Sequence, residues 1–262
     1  MTTAVAASSP SLPRLDCAVF PGDTVAQVAD FERVVLGSGV LREGEHLLST
    51  RVGVLRWDAE ATRISVEAEQ RRYVAALGDQ VIGIVTGTHV DEYRVDVGSA
   101  AAATLPVLSF DGATKRNRPH LAVGALVYAR VVVANKDMDP EISCAAPPGV
   151  ISRDWVTRES IFGELMGGHT FACPAALCRV LASEDECPLL EALSEVSAFE
   201  LAAGANGRVW VDAQEASMVI LAQQAMLLCH THPAREHAKL VHHLAHACRD
   251  GEAYALAPMP SA

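Results

Sequence analysis

The chain has 262 residues, half of them hydrophobic, and a formal net charge of −11. This length permits one large domain or two to three small ones, and no run approaches the ~18 apolar residues that a membrane-spanning helix requires. The acidic balance argues against a protein that coats naked nucleic acid over its whole surface, and it is compatible with docking on basic partner subunits.

The two ends of the chain are predicted to be disordered tails, residues 1–13 and 251–262, because they are rich in Ala, Ser, Thr and Pro. The first of them lacks the basic segment and apolar run of a signal peptide. Seven cysteines without a C-x-x-C spacing indicate reduced, buried thiols in an intracellular protein.

Residues 14–72 are predicted to form a small N-terminal β domain. Short strands are expected at Thr24–Val28, Leu47–Leu55 and Ile64–Ala68, separated by Gly-containing turns. At about 60 residues such a domain is marginal alone, so we expect a neighbouring domain to stabilise it.

Residues 73–145 are predicted to form a five-stranded OB-type barrel. Strand candidates are Gln80–Thr86, Glu92–Val97, Ala103–Ser109 and Leu126–Ala134. Gly, Asp and Asn between these runs mark turns at a spacing typical of an all-β fold. Short strands at this density are typical of a Greek-key barrel such as the OB fold.

The segment 112–136 carries five basic residues and no acidic one, although the whole chain is acidic. The five are Lys115, Arg116, Arg118, Arg130 and Lys136. Lys and Arg neutralise backbone phosphates and release counterions, and the guanidinium group adds bidentate geometry. We expect these side chains to bind a nucleic acid at the rim of the barrel, since OB folds bind single strands with their strand faces and loops. The alternative is a solvated loop with incidental charge.

Aromatic side chains on which bases could stack are sparse in this part of the chain. The candidates are Tyr73, Tyr93, Phe110 and Tyr128. So few stacking platforms predict weak, sequence-tolerant contact with a single strand.

Residues 150–250 are predicted to form a KH-type domain with the order β-α-α-β-β-α. The expected elements are the strand His169–Cys173, the helices Pro174–Ala182 and Pro188–Val196, the strands Phe199–Ala203 and Arg208–Asp212, and the helices Gln214–Cys229 and Pro233–Cys248. Proline in the first turn and apolar spacing of three and four residues support the helices. The predicted fold class is therefore mostly β with a C-terminal α+β module.

The run Gly204-Ala205-Asn206-Gly207 lies between two predicted strands, so we interpret it as a hairpin turn. KH domains clamp nucleic acid with a GxxG loop between two helices. Here the segment between the helices is Ser183–Glu186, which has three acidic residues and no glycine. Phosphate would be repelled there, so the KH-type domain is not expected to bind RNA by its usual route. Gly204, Asn206 and Gly207 are predicted to be structural, because they form the turn between two strands.

Motifs for nucleophilic catalysis and cofactor binding are absent from the sequence. We therefore expect no catalytic residue, no cofactor and no metal. Two alternatives stay open: His242 and His246 share a helix face that suits a metal ion, and the acidic residues that follow the barrel resemble the carboxylate cluster of a nuclease. These acidic residues are Asp137, Asp139 and Glu141.

Five runs carry a resemblance to a known family: GDQVIGIV (78–85), VDVG (95–98), LSFDGATKRNRP (108–119), VANKDM (133–138) and GANGRVWV (204–211). They resemble the non-catalytic RNA exosome cap subunits of the ribosomal RNA-processing protein forty type, over residues 15–230. The resemblance implies an RNA-binding barrel and a KH domain, with the Gly204–Gly207 turn packed between them.

The resemblance also implies partners. Three cap proteins sit on a ring of six RNase-PH-like subunits and surround the pore through which RNA is threaded toward a separate nuclease. The expected locations are the nucleus, with the nucleolus, and the cytoplasm, without membrane attachment. An alternative function is a free-standing RNA-binding regulator in ribosome assembly or translation.

Overall fold

The computed structural model describes residues 17–58, 62–68, 72–135, 137–147, 160–182 and 187–249. The chain divides into two compact units, Met1–Gln70 and Arg71–Ala262. The predicted tails, Lys136 and the inter-helix segment 183–186 lie outside the described residues.

The first unit consists of short strands in two sheets. They are β1 (Ala18–Val19), β2 (Thr24–Gln27), β3 (Val35–Leu36), β4 (Val40–Glu43), β5 (His46–Ser49), β6 (Gly53–Asp58) and β7 (Arg63–Glu67), with a 3₁₀ turn at Val28–Asp30. One sheet has the order β1-β6-β7-β3 and the other β2-β5-β4. A small aliphatic core that includes Leu47, Leu55 and Ile64 holds the unit together. The prediction of an N-terminal β domain is confirmed.

The predicted extent of one strand in this unit is wrong. The run Leu47–Leu55 was expected to be continuous, but it is divided between β5 and β6. The Ser49 hydroxyl donates to the carbonyl oxygen of Arg51 at 2.7 Å, and the Thr50 N–H donates to the carbonyl of Gly39 at 2.9 Å. These local hydrogen bonds turn the chain where the apolar pattern alone predicted extension.

The second unit begins with a closed barrel. Its strands are β8 (Gln80–Thr88), β9 (Glu92–Asp96), β10 (Ala103–Pro106), β11 (Leu126–Val133) and β12 (Glu141–Ser143). The strand order is β12-β10-β9-β8-β11, and β12 closes the barrel by pairing also with β11. Alternate residues such as Val95, Leu105 and Ile142 fill the interior and are fully buried. The predicted five-stranded OB-type barrel is confirmed, and a further strand, β13 (Gly163–Leu165), extends its sheet beside β11.

A KH-type module follows the barrel. It comprises β14 (His169–Ala172), α1 (Ala175–Ala182), α2 (Pro188–Val196), β15 (Glu200–Gly204), β16 (Arg208–Asp212), α3 (Ala216–Cys229) and α4 (Ala234–Arg249). The sheet order is β14-β16-β15, and α4 packs against α2 and α3. The KH-type prediction is confirmed. No helix among the described residues is both long and apolar enough to cross a membrane.

The strand register places the barrel connections at two opposite ends. Pro106 pairs with Glu92, so the β8–β9 turn and the long β10–β11 connection lie together at one end. Ala103 pairs with Val95, so the β9–β10 connection lies at the other end. These two ends carry the two groups of residues singled out in the sequence.

Candidate nucleic-acid interface

Lys115 and Arg116 are the two central residues of a tight turn in the β10–β11 connection. Backbone hydrogen bonds between Thr114 and Asn117 close the turn in both directions, at 2.9 and 3.1 Å. The Asn117 N–H also donates to the Thr114 hydroxyl at 3.1 Å. The turn therefore holds the backbone while both cationic side chains are exposed to solvent.

Two side chains anchor this connection to the barrel. The Arg118 guanidinium donates to the carbonyl oxygen of Val90 in the β8–β9 turn at 3.0 Å. The buried Tyr93 hydroxyl donates to the carbonyl of Pro119 at 2.6 Å and accepts from the N–H of Leu121 at 3.4 Å. We call residues 112–121 the basic loop; it is fixed at its base and cationic at its tip.

The structure does not bring all five predicted basic residues together. Arg130 lies on the outward face of β11, opposite Gln80 on β8 and Ser143 on β12, and it is half-buried. Gln80 is the first residue of β8, so Arg130 lies away from the end that carries the basic loop. Lys136 lies outside the described residues. Contact of these five residues with RNA stays a prediction.

The four aromatic side chains considered as stacking platforms are not presented to a nucleic acid. Tyr93 and Phe110 are each 5% exposed and Tyr128 is 9% exposed, and all three belong to the barrel core. Tyr73 is half-buried, and its hydroxyl donates to the Asp79 carboxylate at 2.6 Å; burial raises the pKa of this phenol above its usual value. Treating these rings as available for stacking is therefore wrong, because the barrel uses them for its own packing.

The β15–β16 turn contacts the barrel away from the basic loop. The Asn206 side-chain amide donates to the carbonyl oxygens of Ile82 at 2.8 Å and Val97 at 3.0 Å, and its oxygen accepts from the Ile82 N–H at 3.3 Å. The Ala205 N–H donates to the carbonyl of Gln80 at 2.7 Å. Asn206 therefore joins the backbone of β8, and that of the residue directly after β9, to the KH-type module.

The glycine at the start of this turn is required by the close approach of the two modules. A Cβ atom at Gly204 would lie 2.9 Å from the backbone nitrogen of Ile82 and 2.3 Å from the Asn206 side-chain oxygen. Gly207 has φ +77°, a conformation that favours glycine. Only a residue without a side chain lets β15 come this near to β8.

Two further contacts at this interface were missed by the sequence analysis. The Arg208 guanidinium donates at 2.7 Å both to the carbonyl oxygen and to the carboxylate of Asp96, and the hydrogen bond to the carboxylate lowers the pKa of Asp96. Trp210 lies on β16 but belongs to the barrel core, where it is 5% exposed. We call residues 204–208 the docking turn. The run GANGRVWV contains both side chains, but Asp96 lies more than a hundred positions before Arg208, and the Trp210 N–H donates to the carbonyl of Gly167, 43 positions away.

At each of the two sites that stayed open for a metal or for catalysis, one residue contacts another charged side chain. His242 lies 3.5 Å from the Glu195 carboxylate, and Asp139 pairs with Arg94 at 2.9 Å. Across the described parts of the chain, no three or more His, Cys, Asp or Glu side chains are placed to hold a metal ion together.

Residues 73–150 match the family described as exosome complex component RRP40, S1 domain, and residues 168–217 match a KH domain family. The chain is 40% identical over 194 residues to the putative exosome complex component rrp40 of Dictyostelium discoideum, covering 74% of this chain and 78% of that protein. It is 37% identical over 244 residues to exosome complex component RRP40 of Homo sapiens, with 86% and 82% covered. The chain belongs to the RRP40 family of exosome complex components.

A more distant RRP40 protein agrees with this assignment, and a solved structure has a similar fold. Exosome complex component RRP40 of Saccharomyces cerevisiae is 32% identical over 219 residues, covering 80% of this chain and 88% of that protein. A crystal structure described as a putative exosome complex RNA-binding protein matches with a TM-score of 0.52 at 20% identity, over 67% of this chain and 98% of that chain. At that identity the likeness supports the fold. The RRP40 S1 match contains the basic loop, and the KH match contains the docking turn.

Proposed function

We propose that this chain is a non-catalytic cap subunit of the RNA exosome, which stabilises the ring and guides RNA into the central channel for 3′–5′ processing and degradation. The processes served are rRNA processing and RNA turnover. The observation that carries the proposal is the basic loop of an RRP40-type S1 barrel. Its backbone is fixed by Thr114, Asn117 and Tyr93, while Lys115 and Arg116 are exposed.

Charge and burial favour guidance of RNA over sequence-specific recognition. Lys115, Arg116 and Arg118 bind phosphates, which every RNA sequence carries alike. Arg130 and Lys136 are the weaker candidates for such contact. Because the barrel aromatics are buried, stacking on them adds no preference for one base over another. Weak contact that tolerates any sequence is what a threaded strand requires.

The proposed protein partners are the RNase-PH-like ring subunits and the other cap subunits. A net charge of −11 is compatible with docking on basic surfaces of such subunits. The curated relatives are themselves named as exosome complex components. The proposed locations are the nucleus, with the nucleolus, and the cytoplasm.

Size-exclusion chromatography of the endogenous protein tests membership of an assembly. A cap subunit elutes at several hundred kDa together with ring subunits. Elution near the mass of the chain itself, 27.8 kDa, would instead favour a free-standing RNA-binding regulator in ribosome assembly or translation.

The absence of catalysis has its own test. The purified chain, incubated with RNA and Mg²⁺, is expected to leave the RNA intact. Robust cleavage that is abolished by Asp137→Asn or Asp139→Asn would replace the proposed function with that of a hydrolytic nuclease.

A further inference from the structure

A cleft of about 250 Å³ lies directly beside the basic loop. One wall is formed by Pro119, His120 and Leu121, which follow Arg118 in the chain, and the other by β13 and its neighbours. The buried Phe110 ring also lines the cleft, at 5% exposure. The cleft is therefore continuous with the segment that carries the cations.

The cleft has apolar surfaces suited to a flat ring. Ile161 and Met166 at its margin are large apolar side chains that are 59% and 53% exposed. Its volume lies below the ~300–1,000 Å³ of pockets for drug-sized ligands, so it suits a group of the size of one heterocyclic base. The exposed His120 imidazole provides a ring of the kind on which unpaired RNA bases stack.

The polar groups of the cleft favour binding of a base over binding of a phosphate. Glu164 lines the cleft and is exposed, so its carboxylate repels phosphate but accepts hydrogen bonds from base N–H groups. The Ser160 hydroxyl donates to the carbonyl of Phe162 at 2.8 Å, which leaves its lone pairs as acceptors toward the cleft. A strand whose phosphates lie on the basic loop would therefore place a base, and not its backbone, in the cleft.

We propose that this cleft binds one unpaired nucleobase of an RNA strand whose phosphates contact Lys115, Arg116 and Arg118. His120 stacks on the base, and Glu164 accepts a hydrogen bond from its exocyclic amine. This inference rests on the proposed RNA-guiding function, and it gives the basic loop a contact with bases that the buried barrel aromatics do not provide.

The test compares two oligomers with equal numbers of phosphates, an oligoadenylate RNA and an abasic RNA, binding to the full chain at one salt concentration. The ratio of their affinities isolates the contribution of the bases. For the wild-type chain we expect the affinity for oligoadenylate to be at least about fivefold higher than the affinity for the abasic oligomer. His120→Ala and Glu164→Gln are each expected to bring this ratio toward one. Glu164→Gln also changes the net charge, but this change affects the binding of both oligomers alike and therefore cancels in the ratio.

Two further variants separate the cleft from the basic loop. Val123→Ala alters an exposed residue of the same connection, 64% exposed, and is expected to keep the wild-type ratio. Lys115→Ala with Arg116→Ala is expected to weaken the binding of both oligomers while preserving the ratio of their affinities. If that double variant binds both oligomers as tightly as the wild-type chain does, the phosphate contact on which the proposed function depends is contradicted.

A wild-type ratio near one, or a ratio unchanged in His120→Ala and Glu164→Gln, would overturn the cleft proposal alone. Loss of co-purification with the assembled complex in these two variants, with the ratio unchanged, would assign the cleft to a protein partner and likewise overturn it. Lower ratios in both variants, with Val123→Ala unaffected, would support it.

Discussion

The basic loop and the docking turn belong to the same compact unit, yet they use their polar groups in opposite ways. In the docking turn, Asn206 and Arg208 direct their side chains to barrel carbonyls and to a carboxylate. In the basic loop, the backbone of Thr114 and Asn117 closes on itself, and Lys115 and Arg116 are exposed. A side chain bound within the protein contributes to stability, whereas an exposed charge remains available to a ligand.

This difference predicts separate consequences for substitutions in the two regions. Changes in the docking turn should lower the free energy of unfolding of the second unit. Changes at the exposed tip of the basic loop, Lys115 and Arg116, should leave stability unaltered and alter only RNA binding. A variant that moved both quantities together would break the comparison.

The largest expected effect belongs to Trp210→Ala. The indole lies in the barrel core although its strand belongs to the KH-type module, and its N–H donates to the carbonyl of Gly167 at 3.0 Å. Deleting a buried aromatic side chain lowers the free energy of unfolding by about 3–5 kcal/mol, which denaturant titration measures. Ile220→Ala, at an exposed position of α3, is the control and should change stability by under about 1 kcal/mol. A similarly small loss for Trp210→Ala would show that the two modules are not joined by this side chain.

Asn206→Ala is expected to lower the free energy of unfolding by about 2–3 kcal/mol. The substitution removes three hydrogen bonds and leaves polar groups of Ile82 and Val97 without these partners at a buried junction. Asn117→Ala is the matched control, since Asn117 holds its turn through backbone groups. Equal losses for the two asparagines would contradict the assignment of the docking turn.

Lys115→Ala combined with Arg116→Ala is expected to reduce the slope of log affinity for single-stranded RNA against log salt by up to about 1.4, the value for two phosphates. The free energy of unfolding should change by no more than about 0.5 kcal/mol, because both side chains are exposed. Arg235→Ala with Lys239→Ala removes the same charge from exposed positions of α4 and should leave the slope unchanged. An unaltered slope in the first double variant would argue against phosphate contact by the loop.

The smallest expected effect is a pH dependence of the Asp96–Arg208 contact. The hydrogen bond from Arg208 lowers the pKa of Asp96 in the folded protein. Its stabilisation is therefore fully present above the unfolded pKa of about 3.9 and is lost as the pH falls through the lower folded value. Because the Asp96 side chain is 45% exposed, solvent screening keeps this contribution under about 1 kcal/mol.

Comparing the wild-type chain with Asp96→Asn at neutral and acidic pH measures that contribution. The difference in their free energies of unfolding should shrink as the pH falls below about 4. A difference that grows under acid would mean that Asp96 does not stabilise the junction through its charge.

Most strands and helices of the second unit could be predicted from sequence because their apolar periodicity is local. The run Gln80–Thr86 forms most of β8, and the run from Gln214 contains α3, which begins at Ala216. Strands β12 and β13 were not predicted, since three residues each carry too little pattern to distinguish a strand from a loop. Predicted element ends differ where turns and caps, and not periodicity, decide them.

The candidate site could be predicted only in part, because its geometry depends on strand pairing across the barrel. The tight turn with Lys115 and Arg116 at its tip follows from residues within one short segment. The separate position of Arg130 depends on the register of β11 with β8, and the burial of Tyr93 depends on closure of the barrel. The contact of Trp210 with the barrel core joins two modules, so no local pattern contains it.

The most direct test of the central claim is a map of RNA–protein crosslinks on this chain in the assembled complex. The claim is that RNA contacts the barrel at the basic loop, away from the docking turn and the KH helices. We predict adducts within residues 112–121. Adducts on the helices between 174 and 196, with none in 112–136, would contradict it.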